Sequence, residues 1–157
     1  MSGVVLTVGA LALDTIFRFD HLPTTSGKYL PLETVQVANQ WLSDPPGNPF
    51  VTTVRVAGGP DIADRHITDH AEPGDVAVTA DIPLAARLVE KQVAVIDPRG
   101  DEYTEENVGE RLAFRDLMDG LRGAGMETGG PRPYTPKDRQ AFAAALDRVL
   151  TRALRAR

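Results

Sequence analysis

The order of the predicted elements indicates an α/β fold with a mostly parallel sheet. Short runs of β-branched and apolar residues, typical of buried strands, alternate with segments whose apolar residues recur at helical spacing. Strands that alternate with helices are joined by crossover connections, and these connections produce parallel sheets. We therefore predict a central sheet of about four or five mostly parallel strands with helices on both faces.

Length and composition favour a single globular domain over residues 1–157. The absence of cysteine excludes a disulfide framework and any cysteine-based zinc site. No apolar run approaches the ~18 residues of a membrane span, and the start has no basic segment with a cleavage site, so we expect a cytoplasmic protein without a membrane partner. The net charge of −5 argues against wholesale coating of nucleic acid.

Strands are predicted where short apolar or alternating runs end at proline, glycine or polar residues. The segment 34–38 alternates, and the others are rich in valine. Proline-rich and glycine-rich loops are expected at 20–31 and 44–49. The predicted strands are residues 4–8, 34–38, 51–56, 75–79 and 93–96.

Helices are predicted over 61–70, 82–91, 105–122 and 135–155, the last with a clear start. There Thr135 can cap the helix, Pro136 suits its first position, and Asp138 stands where the acid of a capping box belongs. The segment 124–134 carries several glycines and prolines, so we expect it to be a mobile loop. The expected core residues are Val5, Val37, Val54, Val76, Val78, Leu84, Leu88, Val95, Leu112, Phe142 and Leu146.

Aspartates follow several predicted strands. Asp81 and Asp97 come just after strands, and Asp61 and Asp64 follow another strand across a tight turn. The carboxyl ends of parallel strands share one edge of a sheet, where ligands bind, so these side chains could converge. Clustered carboxylates suit Mg²⁺ or Mn²⁺, and such ions can align a water with a phosphodiester.

Helix capping is the alternative interpretation of the same aspartates. Asp61 precedes a helix, Asp64 falls in the first turn of that helix, and Asp81 precedes Ile82 and Pro83 at the start of another. The two roles are compatible, because a capping aspartate keeps a second oxygen free.

Charge is divided unevenly along the chain. Residues 1–98 contain 6 basic and 12 acidic residues, whereas residues 99–157 contain 11 basic and 10 acidic ones. An acidic part can hold metal ions and a basic part can meet phosphates, although charge runs are usually solvated faces. Our candidate phosphate or nucleic-acid contacts are Arg99, Arg115 and Arg132.

A series of motifs resembles the YaiI/YqxD family of bacterial proteins, in the right order and over roughly residues 35–152. They are VANQ at 37–40, DIAD at 61–64, GDVAVTADIPLA at 74–85, DPRG at 97–100, YTEEN at 103–107, RDLMD at 115–119, GGP at 129–131 and DRQAFA at 138–143.

The resemblance implies a PIN-like domain, a three-layer α/β/α fold in which acidic residues hold Mg²⁺ or Mn²⁺ for RNA cleavage. It implies that Asp64 and Asp81 are the catalytic candidates of a metal-dependent ribonuclease, with Asp61 and Asp75 behind them. Asp97 stands where that family usually has asparagine.

The N-terminal part, residues 1–32, departs from that family. Members usually begin with a strand that runs into VDADACP, whereas residues 8–14 are VGALALD, so Asp14 is the nearby acid left as a metal-ligand candidate. Residues 9–14 and 27–31 instead resemble the opening of PfkB (ribokinase-like) sugar kinases, in which the residue matching Asp14 contacts the sugar. The departure supports an alternative function, a catalytically impaired PIN-like protein that binds RNA or a protein partner.

Overall fold

The computed structural model describes residues 4–7, 34–39, 51–126, 129–130 and 132–155. Within these ranges the strands are β1 (Val4–Thr7), β2 (Thr34–Ala38), β3 (Val51–Arg55), β4 (Val76–Val78), β5 (Ala94–Ile96) and β6 (Glu102–Tyr103). The helices are α1 (Ile62–His70), α2 (Ile82–Glu90), α3 (Val108–Gly123) and α4 (Pro136–Arg155).

These strands form one sheet in the order β3-β2-β1-β4-β5-β6. All neighbouring pairs are parallel except β5 and β6, which confirms the mostly parallel sheet. The estimate of four or five strands was low, because β6 is only two residues long and has no recognisable pattern. The strand order reverses between β1 and β4, and in open α/β sheets a reversal of this kind is where ligands bind.

One face of the sheet is covered by α1 and α2. Ala77 of β4 and Val95 of β5 belong to the same buried cluster as Leu84 and Leu88 of α2 and Ile67 of α1. The residues of α2 that point to this cluster recur at helical spacing, which places its polar face towards solvent.

The other face is covered by α4. Val76, Val78 and Ile96 pack with Phe142 and Val149 of this helix, so successive strand residues alternate between the two clusters. The arrangement is therefore a three-layer α/β/α fold. Residues confirmed in the core are Val37, Val76, Val78, Leu84, Leu88, Val95, Phe142 and Leu146.

Helix α3 differs most from its prediction. It begins at Val108 rather than at residue 105, and Leu112, predicted to lie in the core, is only partly buried. No residue of α3, which is described throughout, is buried. The physical reason is its position: α3 packs mainly on α2 rather than on the sheet, and among its apolar residues Val108 reaches the core cluster. Val54 is also only partly buried, at the edge of the core.

The connection from β5 to β6 is a tight turn that packs against α4. Oδ1 of Asp97 accepts hydrogen bonds from the backbone amides of Arg99 and Asp101, at 2.8 and 2.9 Å. Gly100 has φ 92°, and a Cβ there would lie 2.5 Å from the carbonyl carbon of Ala141. Only glycine fits this position, because it combines a left-handed conformation with close approach to a helix backbone.

Some predictions fall on parts of the chain that the structure does not describe. Asp14, the side chain of Val5 and the loops predicted at 20–31 and 44–49 lie outside the described residues. The mobility expected for 124–134 stays a prediction. Among the described residues, no helix is both long and apolar enough to cross a membrane.

Candidate functional site

Asp81 occupies the start of α2, at the edge of the sheet where β4 ends. Its Oδ1 accepts a hydrogen bond from the backbone amide of Leu84 at 2.8 Å, and its own amide donates to Oγ1 of Thr79 at 3.0 Å. The capping interpretation of Asp81 is thus confirmed, with proline in the first turn as predicted. Because β4 adjoins β1, Asp81 also lies at the reversal of strand order.

Asp64 lies in the first turn of the neighbouring helix α1, which begins after the turn formed by Gly58, Gly59 and Pro60. Asp61 holds the N-cap position, as predicted, but its side chain makes no capping hydrogen bond. Its backbone is left-handed, with φ 57°, whereas a capping side chain normally needs an extended backbone.

Asp64 and Asp81 form what we call the carboxylate pair. Partial burial raises the pKa of Asp64, and the negative charges of Asp81 and Asp61 raise it further, while the Arg87 guanidinium opposes them. Within the described part of the chain, no side chain or backbone amide donates a hydrogen bond to the Asp64 carboxylate. The pair therefore brings negative charges together, and the groups of the chain that oppose this repulsion are Arg87 and the Leu84 amide.

The carboxylate pair fits a hard divalent cation. Mg²⁺ prefers oxygen ligands, keeps several waters, and is commonly held by one or two carboxylates. Across the described ranges, no group of three or more histidine, aspartate or glutamate side chains is arranged to hold a metal ion. Asp64 and Asp81, with Asp61 near them, are the carboxylates whose charges interact at this edge of the sheet.

Two other acidic candidates lie elsewhere. Asp97 caps the turn before β6 through Oδ1, and it is not among the charges that shift the pKa of Asp64. Asp75 lies at the opposite, amino end of β4, where its Oδ2 accepts a hydrogen bond from the backbone amide of Glu72 at 2.9 Å. Strand β4 thus separates Asp75, the secondary candidate, from Asp81.

The buried carboxylate of Asp138 gathers a second set of charges, which we call the Asp138 cluster (Asp138, Arg99, Arg132 and Thr135). Arg132 donates from both Nη atoms, at 2.6 and 2.8 Å, and Arg99 donates from Nη1 at 3.1 Å. The amide and hydroxyl of Thr135 donate to Oδ2 at 2.8 and 2.7 Å. The predicted capping box of α4 is confirmed, and it also anchors two arginines.

The three arginines chosen as phosphate contacts are thus all engaged by carboxylates. Arg99 and Arg132 bind Asp138, while Arg115 of α3 pairs with Asp116 at 3.2 Å and Asp119 at 3.5 Å. Contact with RNA stays a prediction for all three.

Sequence reasoning missed Arg87, which is exposed on α2 and interacts with Asp64. It also missed Phe114 of α3, which is exposed beside the start of α2. Neither carries a motif. An arginine six residues after an N-cap and an aromatic residue on an amphipathic helix are both ordinary in sequence, so only the packing of α1, α2 and α3 distinguishes them.

The amino-acid sequence matches a known protein family. The sequence model of the family described as "Uncharacterized BCR, YaiI/YqxD family" matches residues 24–152. The chain belongs to the YaiI/YqxD family. It is 56% identical over 127 residues to a UPF0178 protein of Myxococcus xanthus. The aligned segment covers 81% of this chain and 82% of that relative.

Other bacterial relatives agree. A UPF0178 protein of Bordetella petrii is 49% identical over 120 residues, covering 76% of this chain and 79% of its own. A UPF0178 protein of Shewanella baltica is 48% identical over 125 residues, and the aligned segment covers 80% of this chain and 81% of that relative. No solved structure matches the chain significantly.

Proposed function

We propose that the protein is a Mg²⁺- or Mn²⁺-dependent ribonuclease with a PIN-like domain. The carboxylate pair carries this proposal: Asp64 and Asp81 interact electrostatically at the carboxyl edge of the sheet, next to the reversal of strand order, and burial together with the charge of Asp81 raises the pKa of Asp64. A divalent ion relieves that repulsion, which is why carboxylates crowded in this way suit metal binding.

The surroundings of the pair suit a phosphate as well as a metal. Both aspartates stand at helix N-termini, where the helix dipole and free backbone amides favour an anion. When bound, the ion would polarise a phosphodiester and lower the pKa of its own water. The chain would contribute the two carboxylates, the orientation of Asp81 through its bond to Leu84, and the nearby positive charge of Arg87.

The alternative function is RNA or protein binding without cleavage, and one observation favours it. Among the described residues no group of three or more histidine, aspartate or glutamate side chains could hold a metal ion, and residues 8–14 lack the two aspartates of the VDADACP signature. The loss of one ligand can disarm a metal site. Arg99, Arg115 and Arg132 remain our candidate RNA contacts under either function.

Calorimetric titration with Mn²⁺ and Mg²⁺ tests the metal site. We expect wild type to bind and Asp81→Asn and Asp64→Asn to lose binding, since each removes one charged ligand at nearly constant shape. Asparagine caps helices as well as aspartate does, so Asp81→Asn should remain folded. Asp147→Asn, an exposed carboxylate change on α4, is the matched control and should bind like wild type.

Cleavage of a labelled single-stranded RNA then separates the two functions. Metal-dependent cleavage that disappears in Asp81→Asn and persists in Asp147→Asn supports the ribonuclease. Folded wild type that neither binds Mn²⁺ at millimolar concentration nor cleaves RNA refutes it and favours the non-catalytic function.

A further inference from the structure

Two histidines of α1, His66 and His70, form a second cluster of metal-ligating groups, which we call the histidine pair. They are four residues apart, so they lie on the same side of the helix, one turn from each other. Their imidazole rings are stacked, with centroids 4.1 Å apart and an interplanar angle of 27°. His70 is exposed and His66 is partly buried, so an ion from solvent can reach both rings.

A hydrogen bond to the backbone fixes which nitrogen of His70 carries the proton. Nδ1 of His70 lies 2.7 Å from the carbonyl oxygen of His66, and a carbonyl oxygen can only accept, so Nδ1 donates. The neutral ring therefore keeps its lone pair on Nε2, at the other side of the ring. Histidines that bind metals typically hold their second ring nitrogen in this way, because the bond orients the ring and makes the free nitrogen a more basic ligand.

The separation of the two rings suits one shared metal ion. Zn²⁺ binds an imidazole nitrogen at about 2.0–2.1 Å, so an ion between rings this close can bond a nitrogen of each after small side-chain rotations. Throughout the described ranges, no third histidine, aspartate or glutamate is arranged to complete the coordination. Water or a donor from outside the chain would fill the remaining positions.

The histidine pair is distinct from the carboxylate pair, although α1 contributes to both. Asp64 and His66 are two residues apart, and such residues do not face the same way on a helix. The ligand chemistry differs too, since carboxylate oxygens suit Mg²⁺ and Mn²⁺, whereas imidazole suits Ni²⁺, Cu²⁺ and Zn²⁺. The charge of Asp69 acts on His66 and favours a cation there.

We propose that His66 and His70 form a binding site for one divalent transition-metal ion of the class that prefers imidazole, namely Ni²⁺, Cu²⁺ or Zn²⁺. The spacing of the two histidines, their stacked rings and the donated Nδ1 proton of His70 carry this inference. It does not rest on the proposed function, because neither Asp64 nor Asp81 nor RNA takes part in it.

Isothermal titration calorimetry of the full chain, without an affinity tag, with Ni²⁺ and with Zn²⁺ tests the proposal. We expect wild type to bind an ion that depends on both histidines. His66→Gln and His70→Gln should each weaken its binding at least about 10-fold, the smallest usual cost of losing even an outer partner of a metal ligand. Glutamine is a good helix former, so both variants should fold, which circular dichroism checks.

A rearranged variant separates chelation by the pair from binding to any two histidines. Arg65→His combined with His66→Gln keeps two histidines on α1 but places them five residues apart, where they no longer face each other. This double variant should bind as weakly as His66→Gln. Arg65→Gln, an exposed change on the same helix, is the matched control and should bind like wild type.

Asp64→Asn distinguishes this site from the carboxylate pair, since it should retain the histidine-dependent Ni²⁺ whether or not it loses Mn²⁺. The inference is overturned if folded wild type binds neither Ni²⁺ nor Zn²⁺ at millimolar concentration. It is also overturned if His66→Gln or the rearranged variant binds like wild type, or if Asp64→Asn alone abolishes Ni²⁺ binding.

Discussion

Asp64 is a partly buried aspartate and Asp138 is a buried one, and each lies in the first turn of a helix. The pKa values of their carboxyl groups are shifted in opposite directions. Hydrogen bonds from Arg132 hold the pKa of Asp138 well below its usual range, with Thr135 adding to the effect. The pKa of Asp64 is raised instead, by burial and by the charge of Asp81. The chain supplies donors to one carboxylate and a second carboxylate to the other.

The difference distinguishes a structural carboxylate from a candidate functional one. Asp138 is saturated by its own chain: it joins the β5–β6 turn, through Arg99, to the start of α4. The Asp64 carboxylate is available to bind a group from outside the chain. Natural proteins tolerate the free-energy cost of a carboxylate with a raised pKa mainly at functional sites.

Asp138→Asn should cause the largest loss of thermal stability among the variants considered, because Arg99 and Arg132 lose their charged partner. A lowered pKa means that the ionised form stabilises the fold, and this contribution is lost as pH falls through the folded pKa. The difference in Tm between wild type and Asp138→Asn should therefore be wide at pH 7. It should narrow below about pH 4, where an ordinary aspartate is protonated.

Thermal melts at several pH values measure this difference, with Asp147→Asn as an exposed control on the same helix. Mn²⁺ binding should persist in Asp138→Asn wherever the protein is folded. If Asp138→Asn melts at the same temperature as Asp147→Asn, Asp138 is not a structural carboxylate.

Asp81→Ala should lower the free energy of unfolding by about 1 kcal/mol, the usual cost of losing a side-chain N-cap. Asp81→Asn retains the bond to the Leu84 amide and should remain within a few tenths of a kcal/mol of wild type. Urea denaturation of the two variants checks the stability, and calorimetry with Mn²⁺ checks the metal. Both should lose binding. If Asp81→Asn retained Mn²⁺ binding, the Asp81 carboxylate would serve only as a helix cap.

Asp64→Asn should stabilise the protein slightly at pH 7, by on the order of 0.5 kcal/mol, the size expected for a partly exposed charge pair. A raised pKa means that ionising Asp64 costs stability, so the folded wild type loses stability as pH rises through the folded pKa of this group. The gain in the variant should fade as the pH is lowered and as salt is added.

Chemical denaturation at pH 4 and pH 7 measures that gain, with Asp147→Asn as the reference for removing an unpaired surface charge. A destabilised Asp64→Asn at pH 7 would mean that Asp64 is held by favourable contacts, which contradicts its assignment to the carboxylate pair. Gained stability together with lost Mn²⁺ binding would be the signature of a functional carboxylate.

The fold was largely predictable because local patterns and tertiary packing agree in the centre of the chain. The segments around β4, α2 and β5 are short, strongly apolar and bounded by turns, and both the capping by Asp81 and the capping box of Thr135 and Asp138 were predicted. The failures have local causes. β6 is too short to show a period, and α3 is amphipathic without lying on the sheet.

The sequence alone determined the family, the parallel α/β class and the starts of α2 and α4, since these follow from patterns within a few residues of one another. Tertiary structure alone decided which aspartates meet. Asp61, Asp64, Asp81 and Asp97 all follow strands, but helix packing joins the first three electrostatically and leaves Asp97 in its own turn. A charge is compensated or left exposed by neighbours distant in sequence, and that is the reason local patterns could nominate the site residues but could not separate Asp64 and Asp81 from Asp97.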